Sequence, residues 1–191
     1  MVYSEGFHPK MLISYLPALP LGMEARSEVI EFKSNCLYTR KEFIHQVNKF
    51  FPTGIKFFGL KRLGPSEPTL NESIEKMVYS FELKNRELIE AVEEHNKEKN
   101  ISSLNTYEMV RRLVEQFLEN NGDESIAGFY LDEKEGKLYL SMNYSQQKGV
   151  RPQKIVEDIF GIKNPVFLMA REKVLFKLTR EKDSSIRFFK N

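Results

Sequence analysis

Apolar positions recur along the chain with two periods, 2 and 3.6, and the switches between them mark out its elements. Residues 11–16 form a short apolar run that reads as a buried strand, stopped by Pro17, Pro20 and Gly22. In residues 28–33, Ile30 and Phe32 alternate with Glu31 and Lys33, the period of a half-buried strand. Thr39 followed by Glu42 is a capping box, and Phe43, Ile44, Val47 and Phe50 then recur at helical spacing until Pro52 and Gly54. Residues 55–62 return as a strand rich in aromatic and β-branched side chains. Residues 63–75, with two prolines and a glycine, read as a linker.

Beyond the linker, Met77, Tyr79, Phe81 and Leu83 alternate with polar residues and give a strand. Helical spacing at Leu88, Ile89 and Val92 is followed by a polar break at residues 96–105. A second helix then starts near Asn105 or Thr106, carries Val110, Leu113, Val114, Phe117 and Leu118, and stops at Gly122. Strands at residues 126–131 and 137–142 flank the hairpin signal of residues 132–136. Pro152 opens a helix whose apolar face is Ile155, Val156, Ile159 and Phe160 and which Gly161 closes. A last strand falls within residues 166–178.

The second half therefore reads strand–helix–strand–strand–helix–strand, the split βαβ pattern of a ferredoxin-like unit. The first half gives the same series without its opening strand and helix. The fold class expected is α+β. Two ferredoxin-like units, the first incomplete, would form an antiparallel-rich sheet with helices on one face. The division expected is residues 1–62 as the first half, 63–75 as linker and 76–191 as the second half. A missing first strand would leave an exposed edge, which predicts strand pairing with another chain or a homodimer.

Composition narrows the chemistry. Among 191 residues there is one cysteine, Cys36, so the chain can form neither an internal disulfide nor a cysteine-held iron–sulfur cluster. It has no apolar run near the ~20 residues of a membrane helix, and residues 1–7 lack the pattern of a signal peptide. A cytoplasmic protein with no membrane partner is expected. The net charge of +2 hides a segregation: +4 over residues 1–62, −7 over 63–161 and +5 over 162–191. Basic ends that met in space would offer a face to RNA; ordinary solvated charge is the plainer reading.

No catalytic residue emerges. The histidines His8, His45 and His95 are far apart, and Cys36 lies nine residues before His45, a spacing that matches no zinc site, so no metal ligand set is read. Nucleotide-cradling and nucleophile-elbow motifs are absent. No aspartate precedes Asp123. The doubled architecture is similar to that of pseudouridine synthases, but their single catalytic aspartate has no counterpart in the first half. The densest segment is Tyr3-Ser4-Glu5-Gly6-Phe7-His8-Pro9-Lys10, a glycine–proline loop that can bring backbone amides and ring faces to a ligand. Tyr3 and Phe7 as core anchors is the other reading of it. Arg151 and Lys154, at the start of the helix opened by Pro152, form a second candidate, two cations beside amide donors that suit an anion such as phosphate.

The block Tyr3-Ser4-Glu5-Gly6-Phe7-His8-Pro9-Lys10, with Ile13-Ser14, Pro17-Ala18-Leu19-Pro20-Leu21-Gly22 and Glu24, resembles the radical SAM-linked family of unknown function. Val150-Arg151-Pro152 with the following helix, and Met169-Ala170-Arg171-Glu172, resemble that family's weaker C-terminal pattern. Members of that family usually begin with a further strand and a helix, and this chain starts after that point. The resemblance implies an accessory or substrate-binding protein without catalysis of its own. It would work beside a cobalamin-binding radical SAM enzyme. That partner would carry the iron–sulfur cluster, S-adenosylmethionine and cobalamin, and this chain would bind no cofactor. Tyr3, Ser4, Gly6, Phe7, His8, Pro9 and Lys10 would be the contact surface, with Arg151 and Lys154 second. An RNA-binding or RNA-modifying module is the alternative, and an enzyme acting on a small molecule near His8 is a third.

Overall fold

The computed structural model describes residues 2–5, 7–84, 86, 88–90, 92, 105–121, 124–145 and 151–177. The chain divides into two compact units. Unit 1 runs to Leu16 and resumes over Val29–Glu72; unit 2 takes Pro17–Glu28 and the chain from Ser73 onward.

Unit 2 holds a five-stranded sheet. In chain order its strands are β2 (Glu24–Ala25), β4 (Ile74–Glu82), β5 (Ile126–Asp132), β6 (Lys137–Asn143) and β7 (Met169–Phe176), arranged β2-β7-β4-β6-β5. The four long strands pair antiparallel throughout, and their order is the one a split βαβ unit produces. Alternation decides which face is buried. Met77, Tyr79 and Phe81 of β4 stand opposite Met142, Leu140 and Leu138 of β6, and all six are buried.

Two helices supply the other wall, α3 (Thr106–Asn121) and α4 (Pro152–Phe160). Asn105 and Glu108 cap α3 reciprocally, and Val110 and Val114 are fully buried. Pro152 opens α4, Gly161 closes it in the left-handed region, and Phe160 stacks on Phe81 with centroids 5.6 Å apart. The expected helix near residue 88 is present as helical backbone at Arg86, Leu88–Glu90 and Val92, with Leu88 and Val92 buried. Most of the polar break that follows, and Gly122, lie outside the described residues.

The short strand β2 was not legible in the sequence. It lies parallel to β7, with Glu24 opposite Ala170 and Ala25 opposite Arg171. One buried residue fastens the segment that carries it. The Arg171 guanidinium is 1% exposed; Nε donates to Glu28 Oε1 at 2.7 Å, Nη2 donates to Glu28 Oε2, and Nη1 donates to the Pro17 carbonyl at 2.8 Å. Its own carbonyl accepts from Arg26 N–H at 2.9 Å. The turn within this segment needs glycine twice over. Gly22 sits at φ 98°, and a Cβ there would fall 2.4 Å from the Phe167 ring.

Unit 1 holds a two-stranded antiparallel sheet, β1 (Ile13–Tyr15) against β3 (Ile30–Phe32), followed by α1 (Arg40–Asn48) and the short helix α2 (Leu70–Ser73), which ends at the unit's boundary. Thr39 and Glu42 form the expected capping box at the start of α1. The Phe43 ring of α1 stacks on Phe32 at 5.2 Å and meets Phe57 edge-on at 5.5 Å.

Two expectations change. Residues 55–62 do not join a ladder; instead the Asn48 amide clamps Phe57, accepting from its N–H and donating to its carbonyl, both at 2.7 Å. Nor do the paired strands form one sheet: among the described residues β1 and β3 pair with each other, and the other five strands form a sheet of their own. The α+β class stands.

Removing the carboxylate that faces Arg171 leaves a buried guanidinium short of acceptors. We expect Glu28→Ala to cost about 2–3 kcal/mol in urea unfolding, toward the low side for a buried pair because the Glu28 side chain is partly solvated. The double change Glu28→Ala with Arg171→Met should recover part of that loss. A single variant as stable as wild type would show that the pair contributes nothing.

Candidate functional site

The expected contact block is a small closed loop in unit 1. Tyr3 bridges Met11, Ser4 N–H donates to the Lys10 carbonyl at 2.8 Å, and Lys10 N–H donates to Ser4 Oγ at 3.0 Å. Ser4 thus grips both polar groups of the Lys10 main chain and cinches the loop. The cinch turns its side chains outward. Phe7 is fully exposed, Tyr3 is 55% exposed, and His8, Pro9 and Lys10 are exposed. Tyr3 and Phe7 are therefore not core anchors. Gly6 lies outside the described residues.

The second candidate belongs to unit 2. Arg151 is the N-cap residue of α4, exposed and without a side-chain cap bond. Lys154, one turn in, is ion-paired with Asp158, and this contact holds its ammonium above the usual lysine range. The loop and the helix start thus lie in different units.

Sequence reasoning missed the sheet face opposite the helices. There Tyr130, Tyr139, Ser141, Glu172 and Gly128 border a concavity of about 670 Å³. Alternation in β6 carried the signal, since Tyr139 and Ser141 interleave with the buried Leu138, Leu140 and Met142. The bulge in the β4–β7 ladder carried none, and it sets Glu172 within reach of Ser80 Oγ, which donates to Glu172 Oε1 at 2.5 Å. Tyr139 donates to Glu135 Oε2 at 2.8 Å. Burial, and then that bond, push its ionisation above the usual phenol range.

Among the described residues no cluster of three or more histidine, cysteine or acidic side chains is placed to hold a metal ion. Also among them, no helix is long and apolar enough to cross a membrane. Cys36 is exposed and its thiol is free.

These features describe an α+β protein built around one complete split βαβ unit, with an exposed aromatic loop on a second, smaller unit. A family model matches residues 1–126, and the chain belongs to that family, DUF2344, described as an uncharacterized protein conserved in bacteria. No curated protein and no solved structure matches it.

If Ser4 closes the loop as described, Ser4→Ala should speed amide exchange at Lys10 by severalfold. Global stability should change by less than about 0.5 kcal/mol, since the bond is exposed. Unchanged Lys10 exchange would mean that Ser4 does not hold the loop.

Proposed function

We propose that this protein is a non-catalytic accessory or substrate-binding partner of a cobalamin-binding radical SAM enzyme, docked through unit 1. One observation carries the docking. Of the 26 buried apolar residues named across the described chain, unit 1 supplies only Leu16 and Leu70, yet it holds 13 of the 16 exposed large apolar side chains. A unit of that size buries too little of its own apolar surface to offset the entropy of ordering it, and such exposure marks an interaction surface.

The unladdered residues 55–62 and the outer edge of β3 add main-chain groups that a partner strand can pair with. The radical SAM identity of the partner rests on the resemblance of residues 3–24, 151–160 and 169–172. In this reading the partner brings the iron–sulfur cluster, S-adenosylmethionine and cobalamin. RNA binding by the basic ends has less support. Arg26 is paired with Glu24, Lys61 with Glu67 and Arg171 with Glu28, so these cations of the basic ends already have carboxylate partners.

The test is co-expression with a cobalamin-binding radical SAM protein of the native host, read as a stable complex on size exclusion. Wild type should co-elute, and Phe7→Ala should weaken the complex about tenfold or more while leaving unfolding unchanged. Failure of the wild-type pair to associate would sink the proposal.

A further inference from the structure

The face of the unit 2 sheet that turns away from the described helices has the makings of a ligand site that neither the family match nor the docking proposal uses. Its floor is Gly128. This residue sits just past a bulge in the β5–β6 ladder, and a Cβ built on it would meet nothing within 4 Å. Tyr130 and Tyr139 stand opposite one another in the ladder beside that floor, their rings 6.2 Å apart and tilted by 33°. Tyr130 is 62% exposed, so its ring face is open to a ligand. On the far side the bulge in the β4–β7 ladder sets Glu172 against Ser80, itself 4% exposed.

The field in this concavity is negative. Asp132, Glu135 and Glu172 all act on the Tyr139 hydroxyl in the same direction, disfavouring a further negative charge. Glu135 is also engaged by Lys137 at 3.5 Å, and Asp132 Oδ1 accepts the turn amides of Lys134 and Glu135. That leaves the second oxygens of Glu172 and Asp132 without a partner among the described residues. The cation lining the concavity is Lys173, which is exposed. Aromatic faces beside carboxylates attract cations and repel phosphates.

We propose that the concavity over Gly128 binds a small organic cation, an alkylammonium or guanidinium group, held between the Tyr130 and Tyr139 rings and the Glu172 carboxylate. The hydroxyl of Ser80 orients that carboxylate, and the missing side chain at Gly128 makes the room.

The test uses the full chain with ¹³C-labelled tyrosine rings, titrated separately with spermidine, with N-acetylargininamide and with AMP as an anionic aromatic control. Saturable shifts of the Tyr130 and Tyr139 signals are expected with one or both cations at millimolar concentration, and which cation binds separates a polyamine from an arginine side chain. Glu172→Gln should weaken binding about tenfold. Gly128→Leu should abolish it while leaving the melting temperature unchanged or higher, because Gly128 needs no left-handed backbone and has open space above it. The proposal is overturned by no saturable shift with either cation, by an equal response to AMP, or by wild-type binding in either variant.

Discussion

A guanidinium withdrawn from water is held only where acceptors replace its hydration shell, and Arg171 meets that condition chiefly through one stretch of chain, with Met77 and Tyr79 of β4 beside it. Its fork takes both oxygens of Glu28 and the carbonyl of Pro17, the two ends of the segment that leaves unit 1 after Leu16 and re-enters it at Val29. Its main chain receives Arg26 as well. One residue of β7 therefore closes the Pro17–Glu28 loop at both ends and adds β2 to the sheet as a parallel edge strand. Burial works against the charge, and the carboxylate more than offsets it, so the guanidinium stays protonated. Lysine could not substitute: a point charge cannot present three donors in a plane to two carboxylate oxygens and a carbonyl.

That closure bears on the resemblance noted in the sequence. The Leu19-Pro20-Leu21-Gly22 turn with Glu24, and Met169-Ala170-Arg171-Glu172, are about 145 residues apart, yet they are one structural feature: β2 lies along β7, and Phe167 packs where only Gly22 leaves space. Two segments that looked like separate signals mark the same contact. Its role is architectural, and it points away from Arg171 as a ligand-binding cation.

Much of unit 2 was legible because its periods are clean and its caps explicit. The alternation of Met77, Tyr79 and Phe81, the spacing of Ile155, Val156, Ile159 and Phe160, and the Pro152 and Gly161 boundaries all appear where the pattern put them. The order of the four long strands, β7-β4-β6-β5, follows from the split βαβ series, while β2 at the edge does not. Unit 1 was legible only locally. The capping box at Thr39 is a contact within four residues and formed as read, whereas the strand at residues 55–62 needs a neighbour that propensity cannot supply. Its backbone polar groups turned to the nearest substitute, the Asn48 amide. Composition singled out residues 3–10 but could not tell whether their aromatics face in or out; the Ser4–Lys10 bonds decide that.

The two units therefore ask for different explanations. Among the described residues unit 2 buries its own apolar face, so what it leaves exposed on the side away from the described helices, two tyrosines over a glycine floor, is not surface left over from an unfinished core. A sheet that needs only bulk there would place β-branched residues along the strand rather than a glycine, which weakens it. Unit 1 shows the opposite imbalance. Its aromatic side chains gather around Phe43 without closing a core, and its last extended segment has no strand beside it among the described residues. Exposure on a finished unit argues for a ligand that fits a shaped concavity. Exposure on an unfinished one argues for polypeptide that completes it, because only another chain segment supplies apolar side chains and main-chain hydrogen bonds together.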